Sequence, residues 1–286
     1  MGLKNDRVVV VTGASRGAGK GIALALGATG ATVYVTGRSD KAGEGVLGTV
    51  GETAEEVTAA GGKGIAVVCD HSDDTQVRML FERVKEEQGR LDILVNNATM
   101  LHPELQMKGP FWDKSLDLIG VLDVGLRSHY TATYYAAPLL LANGEGLVVN
   151  TSSPGGQCYM HGPAYGSGKA GADKMVHDFA HDFKPFNIAS VSIWMGLLLT
   201  EKTQAAAAAD PEGMKGFISM AETPQFTGVV IDALANDSKL MERTGKTFYG
   251  SELGIEYGVK DINGNQPASH RNWLGAPHEF SDAVVE

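Results

Sequence analysis

Four consecutive valines, Val8–Val11, run into Thr12 and then into glycines at 13, 17 and 19 before the apolar spacing Ile22, Leu24, Ala25, Leu26 begins. A continuous β-branched run suits a strand buried on both faces, the environment of a parallel sheet. The glycines let the chain turn tightly, let a pyrophosphate approach the backbone and let the following helix pack against the strand. That helix would present free N–H groups at its start, where phosphates bind. A glycine triplet alone also fits a plain strand-to-helix turn. Here a second strand, Thr32–Thr36, follows on schedule, and the unit reads as strand, helix, strand.

The rest of the chain repeats that alternation. Strand-like segments at Arg7–Thr12, Thr32–Thr36, Gly64–Val68, Leu91–Val95, Leu147–Asn150 and Ala189–Ile193 are separated by helical stretches near Lys20–Gly30, Glu52–Ala60, Thr75–Gln88, Lys114–Leu141 and Tyr165–Phe183. The pattern predicts one α/β domain over 286 residues, a doubly wound parallel sheet with helices on both faces. Thr12, Arg38, Asp70, Asn97, Ser153 and Gly196 fall at strand ends and can share one crevice. A net charge of −10 without a basic stripe disfavours nucleic acid and anionic membranes as partners. Cys69 and Cys158 make no disulfide framework, and neither a signal peptide nor a membrane span is visible, so a cytoplasmic protein is expected. The histidines show no metal-ligand spacing, and no metal site is expected.

Tyr165 and Lys169 stand four apart, so on a helix they share a face, where an ammonium favours the phenolate. Tyr-x-x-x-Lys is a weak motif by itself. With the glycine loop, the Asn96-Asn97-Ala98 segment and the Ser152-Ser153 pair in this order, the sequence resembles the classical short-chain dehydrogenase/reductases from about Arg7 to Thr200. Within that family, the stretches Asp123–Tyr130, Ser153–Gly156 and Leu253–Gly264 are similar to the branch of dehydrogenase/reductase member 1.

The resemblance implies a Rossmann-like fold and an oxidoreductase that interconverts a ketone or aldehyde and its alcohol. Tyr165 would be the general acid or base, Ser153 would bond the substrate oxygen, and Lys169 would hold the nicotinamide ribose and lower the tyrosine's pKa. Ser152 is a rival for the serine role: family spacing selects it, whereas alignment on the strand end selects Ser153. Gly13, Ser15, Arg16, Gly17, Gly19, Asn97, Ala98, Gly196 and Thr200, together with Tyr165 and Lys169, would line the cofactor, and Asp70 would bond the adenine. Asp70 also fits as a cap for the helix after it.

The second strand ends at Thr36, Gly37, Arg38 and Ser39 without the acid that holds the ribose hydroxyls of NAD. Arg38, aided by Arg16, suits a 2′-phosphate, so NADP(H) is favoured and NAD(H), with alcohol oxidation, is the alternative. Two departures stand out: Gly125 replaces the usual asparagine of the fourth helix, and Met195 replaces a proline. The relay through that asparagine would survive on the backbone carbonyl, with a kinked or opened helix as the reason for glycine. A cofactor-binding scaffold without turnover is the rival from another class. Residues 197–221 resemble the family's substrate lid, Met100–Phe111 is an insertion at the substrate entrance, and a tail from about Gly264 is expected to wrap a neighbouring subunit. Cys158, Tyr159, Met160 and His161 read as rim or packing residues and His129 as a core histidine. A homodimer or homotetramer through the fourth and fifth helices is implied.

Overall fold

The computed structural model describes residues 6–41, 43 and 47–285. Its centre is β1 (Val8–Val11), all four valines of which are buried. Val9 and Val11 enter the core on one face of the sheet, and Val8 and Val10 the core on the other. That division is the two-residue period of a strand with helices on both sides.

Seven parallel strands lie in the order β3-β2-β1-β4-β5-β6-β7. They are β2 (Thr32–Gly37), β3 (Lys63–Val68), β4 (Ile93–Asn96), β5 (Gly146–Ser152), β6 (Ile188–Trp194) and β7 (Thr247–Tyr249). Between the first four strands run α1 (Gly17–Gly27), α2 (Val50–Ala59) and α3 (Asp74–Gln88). The first helix thus begins on a glycine of the loop. Asp73 caps α3 by accepting from the Thr75 and Gln76 amides, which leaves Asp70 out of the capping role.

The fourth helix departs from the single span expected over 114–141. Lys114 and Ser115 precede a 3₁₀ turn at Leu116–Ile119; then come α4 (Gly120–Leu122), a π-turn at Asp123–Arg127 and α5 (Ser128–Asn143). Residues 103–113 hold two further 3₁₀ turns. Beyond β5 come α6 (Pro163–Phe183), then, after β6, α7 (Glu201–Ala209), α8 (Pro211–Met220), α9 (Pro224–Ala235) and α10 (Leu240–Arg243). β7, α11 (Gly250–Tyr257) and α12 (Arg271–Leu274) complete the chain. Neither α7 nor α8 has a buried residue, as suits an outlying element resting on the sheet's rim. Among the described residues no helix is long and apolar enough to cross a membrane.

The tail from about Gly264 makes contacts within its own chain. Tyr249 donates its hydroxyl proton to the Gly275 carbonyl at 2.8 Å, and the Phe280 ring lies against His177 and under Lys174. These contacts lay the tail on its own α6 and β7.

Candidate active site

The carboxyl ends of β1, β4, β5 and β6 converge on one side of the sheet, and the loop after β1 is built around close approaches. Gly13 has φ +66°, and a Cβ there would stand 2.8 Å from the Ala98 Cα. A Cβ on Gly19 would lie 2.3 Å from the Gly13 carbonyl oxygen and 2.5 Å from the Asn97 amide nitrogen. Only glycine fits at either place. Thr12 locks the loop to β4: its hydroxyl accepts from the Asn97 and Ala98 amides at 2.8 and 2.9 Å. Asn97 in turn donates its side-chain amide to the Thr12 and Gly13 carbonyls.

This loop can receive an anion. The Gly17 amide, at the start of α1, already donates to a Glu201 carboxylate oxygen at 3.0 Å. That oxygen stands in for a phosphate oxygen, and the glycine cradle fits the pyrophosphate of a dinucleotide. Ser15 is buried beside Gly37 in the same loop. Thr200 caps α7, accepting from the Thr203 amide, and its methyl group is 3.7 Å from the Cβ position of Gly17.

At the end of β5 the two serines diverge. Ser152 is fully buried and donates to the Lys169 carbonyl, whereas Ser153 Oγ lies 2.9 Å from Tyr165 Oη. The Gly155 amide also donates to Ser153 Oγ and fixes it. Successive side chains leave a strand on opposite sides, so the two hydroxyls meet different surroundings, and only that of Ser153 meets Tyr165.

Lys169 is buried one turn along α6 and donates to the Thr151 carbonyl at 3.1 Å; its ammonium is 5.7 Å from the Tyr165 ring centre. Burial lowers its pKa to about 8, opposed by Asp173. The tyrosine differs from expectation. Burial raises the Tyr165 pKa, and the Ser153 hydrogen bond only partly opposes this. The lysine points at Thr151 rather than at the phenol oxygen, so Tyr165 keeps its proton at neutral pH. His161 meets the tyrosine edge-on at 5.1 Å and has φ +59°, a strained conformation for a residue with a Cβ. Burial and the charge of Lys114 lower the His161 pKa, so the ring is neutral there.

Three acids near these groups went unnoticed in the sequence. Asp173, four residues after Lys169, accepts from Ser192 Oγ at 2.5 Å and Trp194 Nε1 at 2.8 Å. The spacing 165, 169, 173 was its available signal. Glu201 follows Thr200 directly. Glu222 comes from a distant loop and has no local signature.

Glu222 is almost wholly buried, accepts from the Gly196 amide at 3.1 Å and pairs its backbone with Leu197 and Leu199. It clamps the segment between Gly196 and Thr200, both expected to line the cofactor. Burial, with Asp261 nearby, raises its pKa from 4.5 to about 8. The folded state therefore holds the Glu222 proton more tightly than the unfolded chain. This contribution to stability is complete below the unfolded value and is lost as pH rises through about 8. Glu222→Gln keeps an acceptor and cannot ionise. We expect equal stability near pH 4, and a variant more stable by several kcal/mol, to order of magnitude, at pH 8. Urea unfolding at the two pH values checks this.

At the end of β2 Arg38 is exposed, with its charge toward Asp70. Asp70 accepts from the Ser72 amide and hydroxyl; burial works to raise its pKa, but these bonds and the Arg38 charge hold it below the usual range. Neither Arg16 nor Arg38 has an ion-pair partner among the described residues.

Gly125 lies buried inside the π-turn, so the helix is locally opened where glycine replaces the expected asparagine. A Cβ there would be 3.1 Å from Thr99 Oγ1. Gly168 and Gly171 of α6 admit Leu122 and Leu126 from this broken helix next to Lys169. Gly125→Asn should fold, lose about 1 kcal/mol through crowding against Thr99, and regain it in combination with Thr99→Gly. Thermal melts of the single and double variants test the contact. Nearby, His129 bonds the Ala98 carbonyl through Nε2, and burial, with Lys169 adding to it, lowers its pKa to about 3. The ring is a neutral packing element at physiological pH.

The sequence matches the short chain dehydrogenase family over residues 7–211. It is 40% identical over 274 residues to human dehydrogenase/reductase SDR family member 1, covering 91% of this chain and 84% of that protein. A candidate NAD(P)-dependent gluconate 5-dehydrogenase of Beutenbergia cavernae, with NADP bound at low occupancy, shares the fold at a TM-score of 0.71 and 25% identity, over 85% of this chain and 94% of its own. A 7α-hydroxysteroid dehydrogenase complexed with NADH shares it at a TM-score of 0.72 and 24% identity, over 86% and 94%. Glycine cradle, parallel sheet and paired Ser153 and Tyr165 agree with this likeness, and the chain belongs to the short-chain dehydrogenase/reductase family of oxidoreductases.

Proposed function

We propose that the protein is an NADPH-dependent carbonyl reductase, with Ser153, Tyr165 and Lys169 as its catalytic set. The observation that carries the reading is the 2.9 Å contact between Ser153 Oγ and a protonated Tyr165 Oη beside the glycine loop. When bound, the dinucleotide supplies the hydride to a carbonyl carbon. Tyr165 Oη donates its proton to the developing alkoxide, and Ser153 Oγ bonds the same oxygen and holds it in line. Lys169, protonated at neutral pH, sets the local positive charge and would hold the nicotinamide ribose. Burial keeps Tyr165 in its protonated form at neutral pH, the form that reduction consumes and that alcohol oxidation would first have to deprotonate.

Gly13, Ser15, Arg16, Gly17, Gly19, Ala98, Gly196 and Thr200 would border the dinucleotide. Asn97 would contribute backbone, because its side-chain amide is held by the loop. Arg38 would meet a 2′-phosphate and Asp70 the adenine. The substrate would be an apolar ketone or aldehyde, up to steroid size. Leu101, Met107, Phe111, Trp112 and Tyr159 are exposed, and Lys114 at the end of this segment acts on His161, which bears on Tyr165. Residues 197–221 would close over the substrate.

A homo-oligomer through α5 and α6 is part of the same reading, supported by an aromatic groove of about 300 Å³ lined by Tyr130, Tyr134, Phe179, Phe183 and Phe186. Cytoplasmic residence is part of the same proposal. The purified protein, incubated with NADPH or NADH and a panel of apolar ketones, should oxidise NADPH in a ketone-dependent manner. Tight dinucleotide binding with no turnover of any ketone, aldehyde or alcohol would instead establish the scaffold reading.

A further inference from the structure

Glu201 is the first residue of α7, directly after the Thr200 cap. Its carboxylate reaches across to the Gly17 amide. That amide belongs to the first turn of α1, where N–H groups have no carbonyl partner within the helix and are the donors an anion takes. One N–H cannot serve a carboxylate and a phosphate at hydrogen-bond distance together, and two such anions in one place repel each other.

We propose that Glu201 sets the affinity for dinucleotide by occupying the pyrophosphate's donor, so that binding releases the start of α7 from the glycine loop. The inference rests on the dinucleotide reading above. The surroundings make the contact consequential. Since α7 and α8 bury no residue, they are held chiefly at their ends: by Glu201 and Thr200 against the glycine loop, and by the Leu198 to Glu222 bridge. Releasing one of these anchors frees the element that flanks the substrate side of the site. Arrival of the cofactor and movement of this segment are thereby the same event.

A glutamate in the first turn also stabilises its own helix through the dipole, whatever else it touches. The two accounts differ in what happens at the loop. If Glu201 serves only α7, removing it leaves dinucleotide affinity unchanged. If it competes for Gly17, removing it tightens binding by about tenfold, the scale of one charge-assisted hydrogen bond.

The test uses the full chain, titrated with NADPH, with NADH and with inorganic pyrophosphate, as wild type, Glu201→Gln and Glu201→Ala. Amide exchange over residues 201–209 is followed alongside. The expected result is a roughly tenfold lower NADPH Kd in Glu201→Ala, a smaller gain in Glu201→Gln, and faster exchange in wild-type α7 when pyrophosphate is added. In Glu201→Ala, α7 exchange should no longer respond to pyrophosphate. An unchanged or weaker Kd in Glu201→Ala overturns the proposal, as does tighter binding with pyrophosphate-insensitive α7 in the wild type. If none of the proteins binds NADPH or NADH, the dinucleotide reading fails. Loosening of wild-type α7 by pyrophosphate then still supports anion competition at Gly17, and its absence overturns it.

Discussion

Tyr165→Phe should lower kcat by about 10²–10⁴ while leaving NADPH binding within a few-fold of wild type. The substitution removes one oxygen and nothing else. The ring keeps its edge-on contact with His161 and its packing over Gly155, whose Cβ position is 2.6 Å from Tyr165 Cε1. Ser153 Oγ still accepts from the Gly155 amide, and because it is only half-buried its own hydroxyl proton can turn to water, so the fold is preserved. What disappears is the proton held next to the substrate oxygen. Lys169→Ala should behave differently, impairing binding and turnover together, because it also leaves the Thr151 carbonyl without its buried donor. Single-turnover rates and dinucleotide titrations on both variants separate the two effects. A Tyr165→Phe protein with near-normal kcat would show that the proton comes from elsewhere.

The second large effect is at Arg38. Wild type should bind NADPH at least tenfold more tightly than NADH, about 1.4 kcal/mol, and Arg38→Asp should reverse the order. An exposed guanidinium at the end of β2 can take a 2′-phosphate in two parallel hydrogen bonds. An aspartate there repels that phosphate and accepts from ribose hydroxyls instead. Asp70 already draws on the Arg38 charge, so the wild-type preference should shrink as salt is added. Isothermal titration with both dinucleotides at two salt concentrations reads all of this. Equal dissociation constants in the wild type would remove the argument for NADPH.

The sheet was legible because its strands announce themselves. Val8–Val11 and Val33–Val35 are buried runs, and a strand that must be apolar on both faces leaves little sequence freedom. The helix after β4 was legible as a helix and illegible in its detail: a π-turn is a change of hydrogen-bond register, and Asp123–Arg127 carries no composition that marks one, apart from a glycine where the family has asparagine. Which of Ser152 and Ser153 meets Tyr165 depends on the last pleat of β5, a boundary of one residue. Glu222 and Glu201 were out of reach for a different reason. Each acts on a backbone amide far away in sequence, and only the folded chain brings a lone acid to that amide.

The central place of β1 has a consequence for how the protein is made. Val9 is flanked by Val33 on one side and by Ile93 on the other. As the chain leaves the ribosome, β2 can close one edge of β1 early and β3 can add to β2, while the second edge of the all-valine strand waits for β4. At ordinary synthesis rates that interval is on the order of seconds to ten seconds. Throughout it the nascent chain carries an unpaired, apolar strand edge, the kind of surface that templates association with other chains. A chain cut between β3 and β4 keeps that edge permanently and should aggregate. Once β4 has slotted in, every later strand joins the sheet from the same side, in the order of its synthesis, and the exposed edge passes outward to the short β7.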